Sequence, residues 1–306
     1  MIYKILIFVK TLASMKTYAC LFLLFSVLYS SQIQRFTYEY QYITDSTNRA
    51  DVKKELMLLD IEEKGSKYYS YDVFVTDSIL NSEFVKQGDK GNPIAFIKPG
   101  NYKGAIRSKV TKEYPDYKTY LHTNLSFDFY KVEEDQKPIW KIHPEKIKIG
   151  NYSSQKATTK YLGREWTAWF STDLPFQDGP YKFYGLPGLI VKLEDKKQSH
   201  IMTLIANRTV KEVSDEMVFN KIKNEISVNN IQFNKLWKEY VNDPNKITRQ
   251  KIASSEHDAQ GNSTFNFVDA SGHKLDANEE MRKNKERFKE ALKKNNNRLD
   301  FDLYKY

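Results

Sequence analysis

From Phe36 to Thr44 the chain reads FTYEYQYIT, and this alternation constrains the fold more than any other feature. Phe36, Tyr38, Tyr40 and Tyr42 fall on one side of an extended backbone, and Thr37, Glu39 and Gln41 on the other. A strand with one buried face accounts for that period. Similar stretches follow. KKELMLLDIEE and SKYYSYDVFV flank Lys64-Gly65, which predicts a hairpin. KGAIRSKV, YKTYLHT and FDFYKV are further strand candidates, as are the apolar patches from Trp140 to Ile149, broken by Pro144. KATTKYLGREWTAWFST predicts two strands meeting near Gly163, and HIMTLIANRTV one more. The 21 Tyr and 18 Phe suit pleated, half-buried surfaces.

Helical spacing enters sparingly at first. After Asp77, Ile79, Leu80 and Phe84 predict a short helix, with GDKGNP at 88–93 as a loop. Later, Val218, Ile222 and Ile226, then Phe233, Leu236, Trp237, Tyr240 and Val241, predict two amphipathic helices interrupted at Asn229-Asn230. Asp276 followed by Glu279 fits a capping box that opens a helix to about Asn296. That helix has a narrow stripe of Met281, Phe288 and Leu292, and eight basic residues against four acids between 279 and 298. It is expected to dock on the sheet, with contact to anionic lipid as the alternative. Strand-helix-strand alternation is absent. The predicted fold class is therefore α+β: a curved, mainly antiparallel β-sheet with helices from the second half packed on one side. Residues 32–306 suffice for a single domain with a sizeable core.

The first 31 residues read differently. From Met15 the sequence is MKTYACLFLLFSVLYSSQ: a lysine, an apolar run from Ala19 to Tyr29, then Ser30 and Ser31. That is the pattern of a signal peptide spanning 1–31, and the run is short for a bilayer span. An uncleaved anchor is the alternative. MIYKILIFVKTLAS then reads as an extended n-region or as a start upstream of the true one. The only cysteine, Cys20, lies inside this segment, so a mature chain would carry no disulfide and no thiol chemistry. Residues 1–31 hold three lysines and no acids, so cleavage lowers the net charge from +9 to +6. In an exported protein that excess points to anionic lipid or glycan surfaces, or to solubility alone, and not to nucleic acid.

FYGLPGLIVKLED, residues 183–195, places Pro187 and Gly188 where a type II turn wants them. Gly185, lacking a Cβ, is expected to let another chain segment come close. Leu189, Val191 and Leu193 then alternate with Ile190, Lys192 and Glu194 as a strand. No nucleophile, base or metal ligand lies within Gly185–Ile190, so the motif reads as structural. The block from about Lys156 to Asp195 resembles the signature of the GLPGLI family, whose six letters stand unbroken at 185–190. That resemblance implies an exported protein of the bacterial envelope and kinship of fold, and no reaction. Members often carry cysteine where Ser154 stands, so a thiol role in the family does not transfer here.

Candidate chemistry is sparse. Arg164-Glu165-Trp166-Thr167-Ala168-Trp169 concentrates the most. Arg164, Trp166, Trp169 and Asp173 form the expected ligand or partner surface, with Trp169 and Arg164 as an aromatic, cationic wall for a sugar or lipid head group. The alternative is a central strand buried on both faces, with Arg164 paired to Asp173 or Glu194. His122, His143, His200, His257 and His273 have no histidine neighbour at ligand spacing, so neither a metal nor another cofactor is expected. No G-x-S-x-G stands in the chain, and Asp173, Asp178 and Glu194 are candidate carboxylates for glycoside cleavage only in the sense that any acid-rich chain has some.

These readings predict an exported, non-enzymatic binding or accessory protein of the periplasm or outer membrane. It would hold an apolar ligand in the curve of the sheet, or dock on an outer-membrane protein or lipid. An envelope hydrolase acting on glycan or peptide, with its cleft near Arg164 and Asp173, is the second reading. A purely structural signature is the third. There Gly188→Val should unfold the protein and Lys182→Ala, taken as a surface change, should do nothing.

Overall fold

The computed structural model describes residues 32–88, 103–211, 224–254, 267 and 273–306. The expected signal peptide, most of the 88–93 loop and the helix signals Val218 and Ile222 lie outside them. Twelve strands form one open, curved sheet: β1 (Gln32–Tyr42), β2 (Lys53–Glu62), β3 (Gly65–Ser70), β4 (Lys109–Glu113), β5 (Lys118–Leu125), β6 (Asp128–Glu133), β7 (Lys141–Ile149), β8 (Tyr152–Tyr161), β9 (Arg164–Ser171), β10 (Leu189–Asp195), β11 (His200–Lys211) and β12 (Ile226–Asn229). Their order is β12-β6-β5-β4-β3-β2-β1-β11-β10-β9-β8-β7. β1 is therefore the seam: β2 pairs along one side of it and β11 along the other. Every pair is antiparallel except β12 with β6, which is parallel and makes the sheet mixed.

The expected alternation in β1 holds: Phe36, Tyr38, Tyr40 and Tyr42 are all buried on the inner face. They join Met57, Leu59, Val110, Leu121, Val132, Trp166 and Phe170 in one core. Pro144 sits on an edge strand, where a missing ladder donor costs least, and β7 shifts register between Ile142 and Lys146.

Among the described residues four helices accompany the sheet: α1 (Tyr71–Gly88), α2 (Asn230–Asn242), α3 (Lys246–Ser254) and α4 (Ala277–Lys294). α2 lays Phe233 and Trp237 against the inner face, with Phe233 edge-on to Tyr130 at 5.7 Å. Its cap Asn229 and Gln232 form a reciprocal capping box. α4 starts where expected, with Asp276 accepting from the N–H of Glu279 at 2.7 Å. Its Phe288 meets Tyr240 and Trp237 of α2, so it docks on α2.

Four expectations need correction. SYDVFV is not the second half of a strand: β3 stops at Ser70, whose Oγ accepts from the N–H of Val73 at 3.2 Å and so satisfies a first-turn donor of α1. The helix thus begins six residues before Asp77. α1 also packs on the outer face of the sheet, where Phe74 meets Tyr69 and Leu58, so helices do not all lie on one side. Beneath α1, Arg35 pairs with Asp60 (2.7 Å), and Tyr69 donates to the same carboxylate. Finally, Ile226 belongs to strand β12 and not to a helix, and residues 103–108 precede β4 as irregular chain. Among the described residues no helix is long and apolar enough to cross a membrane.

His200 ties β11 to the C-terminal segment. Its Nε2 lies 3.1 Å from the carbonyl of Asn297, which can only accept, so Nε2 carries the proton and Nδ1 accepts from the Tyr40 hydroxyl at 2.7 Å. Burial, reinforced by the charge of Arg164, pushes this imidazole down to about 3. The unfolded histidine protonates near pH 6.5. Between those values the unfolded chain holds a proton that the folded chain lacks. The His200 contribution is thus complete above pH 6.5 and falls by about 1.4 kcal/mol per pH unit below it. Urea denaturation of the wild type and His200→Gln should show a stability gap that narrows from pH 7.5 to 4.5; a constant gap would refute the assignment.

Candidate functional site

The segment between β9 and β10, residues 172–188, folds back into the hollow of the sheet and plugs it. Phe183 is its apolar centre, edge-on to Trp166 (4.9 Å) and Tyr161 (5.3 Å) and tilted against Trp140 (6.1 Å). Tyr181, Tyr184 and Leu186 are buried beside it. From β1 the Tyr38 hydroxyl reaches across to the carbonyl of Ile190 at 2.7 Å.

Two buried lysines hold this plug. Lys112 of β4 pairs with Asp178 and also donates to the carbonyls of Gly179 (2.7 Å) and Phe183 (3.1 Å); the Tyr114 hydroxyl donates to the same carboxylate. Lys182 points the other way, to Glu134 and Asp300, each at 2.7 Å. Burial disfavours both ammonium groups, and the number of carboxylates decides the outcome. With one acid, Lys112 stays below the ordinary lysine pKa. With two, the charges of Asp300 and Glu134 outweigh desolvation and Lys182 rises above it. Lys182 is therefore no surface residue: its side chain is fully buried.

The signature turn is tighter than expected. The N–H of Gly188 donates to the carbonyl of Leu186 (2.8 Å), closing a three-residue turn around Pro187, while the N–H of Leu189 goes to Leu174 (3.0 Å). The type II closure from Leu186 to Leu189 is thus replaced by a γ-type turn. A Cβ on Gly188 would sit 2.2 Å from the Ser171 carbonyl oxygen, so close approach demands glycine there. At Gly185 the reason is different: a Cβ would meet nothing within 4 Å, but φ is +91°. Ile190 is buried along with Leu189 and Val191, because β10 shifts register between Ile190 and Lys192.

The four residues of the expected surface separate. Arg164 faces inward, where Asp195 (3.1 Å), the Asn297 side chain (2.8 Å) and the carbonyls of Arg298 and Leu299 satisfy it. Its acid is Asp195, not Asp173 or Glu194. Trp166 is buried, its indole N–H on the Tyr161 carbonyl at 2.9 Å. Asp173 is exposed at a turn. Only Trp169 stands on the outer face, half-buried and packed against residues of the core. The three carboxylates considered for glycoside cleavage do not converge either: Asp178 lies inside, Asp173 on the surface, and Glu194 pairs with Lys192 (2.8 Å). Among the described residues no three His, Cys, Asp or Glu side chains gather to hold a metal ion. His122, on the outer face of β5, contacts Thr111 (2.9 Å) and Glu225 (2.9 Å) and ties the approach to β12 onto the sheet. Ser154, at the position of the family cysteine, is buried and donates to the Tyr152 carbonyl at 3.2 Å.

The outer face between β7 and β11 combines charged, hydroxyl and aromatic side chains. In register across it stand Lys156, Trp169, Lys192 and Thr203 in one row, and Lys141, Thr158, Thr167, Glu194 and Ile201 in the next. Lys141, Thr158, Thr167 and Glu194 of the second row line an open groove of about 630 Å³ that also takes in Lys156, Lys160, Glu165 and Lys196. Sequence reasoning found Trp169 but gave it the wrong cation. Lys156 and Lys192 stand opposite it on the neighbouring strands, and strand alternation alone would have placed Arg164 on the other face.

Residues 163–192 match the model of a family described as "Protein of unknown function (Porph_ging)". No curated protein matches the chain. Among solved structures, two crystal forms of PNGF-II, in space groups P21 and C2, align at 14% identity. The alignments cover 67% and 65% of this chain and 32% and 31% of theirs, with TM-scores of 0.45 and 0.42. The chain thus spans about a third of the structures it matches.

Lys182→Ala should cost about 3–5 kcal/mol, because it leaves two buried carboxylates without their cation. Lys196→Ala, which breaks an exposed pair with Glu165, should cost under about 1 kcal/mol. Urea titration measures both, and equal effects would refute the plug assignment. Gly188→Ala should destabilise more than Gly185→Ala, whose penalty is the about 1–2 kcal/mol of a left-handed backbone; thermal melts giving the reverse order would contradict the turn geometry.

Proposed function

We propose that the chain is an exported protein of the cell envelope that works by binding, and that it presents the outer face of β7–β11 to an outer-membrane partner. The leader-like pattern at 1–31 and the resemblance to the GLPGLI family support export. The observation that carries the binding role is the contrast between the two faces. The hollow is filled by aromatic core and the plug, which leaves an apolar ligand little room there. The ionisable groups inside it are bound to one another: Lys112 to Asp178, Lys182 to Glu134 and Asp300, Arg164 to Asp195. A group held in that way is a poor acid or base for a substrate. The outer face, by contrast, offers charges, hydroxyls and an indole on a rigid sheet, which suits recognition.

A photoreactive residue in place of Thr203, on the outer face of β11, should give a crosslinked species in intact cells. One in place of Lys251 on α3 should not. Export is checked by cell fractionation. Equal crosslinking from both positions, or none from Thr203, would refute the docking role, and recovery of the chain in the cytoplasm would refute the envelope assignment.

A further inference from the structure

We infer that the occupant of this outer face is an acidic glycan, a chain of sugar rings bearing carboxylates, seated on Trp169 between Lys156 and Lys192. The inference rests on the docking role proposed above and names the chemical class of its ligand.

Three observations lead to it. The first is the register. Trp169 of β9 stands directly opposite Lys156 of β8 and Lys192 of β10, so an aromatic residue lies between two lysines on adjacent strands, whose ammonium groups reach Glu145 and Glu194. Neighbouring strands are about 4.8 Å apart, a spacing that lets successive sugar rings follow successive strands. The C–H face of a pyranose packs on an indole as an apolar surface would, while its hydroxyls point to the rim.

The second is the chemistry of the surroundings. Thr158, Thr167 and Glu194 lie one row away and offer hydroxyls and a carboxylate to sugar hydroxyls. Thr158 already contacts His143 Nε2 at 2.8 Å and Glu194 pairs with Lys192 at 2.8 Å, so what they offer a polyhydroxylated ligand is their remaining lone pairs.

The third is charge. The groove is lined by Lys141, Lys156, Lys160 and Lys196 against the exposed Glu165, the half-buried Glu194 and the buried Asp195, the last already paired with Arg164, so the face is net positive. Lys156 reaches Glu145 at 3.3 Å and Lys192 reaches Glu194 at 2.8 Å, with side-chain exposures of 31% and 28%. Each ammonium has three donors, and one such contact leaves donors for a ligand carboxylate. Two lysines flanking the ring would read a charge on either side of the stacked sugar. A neutral glycan would gain the stacking and forgo these contacts.

The test is native affinity electrophoresis of the full chain in gels containing polygalacturonate, with dextran as the neutral counterpart, alongside sedimentation with vesicles containing anionic phospholipid. Retardation by polygalacturonate and not by dextran is expected. It should weaken at least tenfold in Trp169→Ala and in the double variant Lys156→Gln/Lys192→Gln, and fall with added salt. The double variant changes only partly exposed charges, so it keeps the test valid should Trp169→Ala fail to fold. Absence of retardation, or retardation that neither variant alters, overturns the inference. Binding to anionic vesicles without binding to polygalacturonate also overturns it, yet leaves the docking role standing. Loss of the Thr203 crosslink, measured separately, would remove that role itself.

Discussion

The ammonium group of Lys182 is the point on which the interior turns. It sits with no exposed surface and is shared by Glu134, just beyond β6, and Asp300, in the C-terminal segment. Those acids stand far apart in sequence, so one cation fastens the plug to one wing of the sheet and to the C-terminal segment together. A desolvated charge of this kind is tolerable only when its partners are fixed. Lys112 and Asp178 do the same work on the neighbouring stretch with one acid instead of two.

Much of the architecture follows from that plug. β1 lies at the middle of twelve strands, and a sheet of that width is curved and leaves a hollow that needs filling. Phe183, Tyr181 and Leu186 fill it from one side and α2 from another. The signature glycines and proline belong to this device. Gly188 lets the chain turn against the Ser171 carbonyl, and β10 can then enter the sheet beside β9. The inner face is committed to stability.

Much of the strand pattern was legible. FTYEYQYIT, the strands meeting near Gly163 and the Asp276 cap all stand where their residues predict, because each depends on contacts within a few positions. SYDVFV was misread because it suits a strand as well as a helix, and the Ser70 cap decided for the helix. Ile226 was misread because spacing with Val218 and Ile222 cannot show that a parallel partner, β6, waits beside it. The candidate site was legible to the extent of Trp169. Its neighbours Lys156 and Lys192 are remote in sequence and become adjacent only through register.

By itself, then, the sequence determined where most strands and the Asp276 cap form, that one face of β1 is buried, and that the chain turns at 185–190. These are local consequences of side-chain period and backbone freedom. Tertiary structure alone decided that Lys182 is interior, that Arg164 answers to Asp195, that α1 covers the face opposite α2, and that an indole stands between two lysines. The reason is physical. A charge can be buried only once distant partners have been brought to it, and cross-strand neighbours exist only after the register is set.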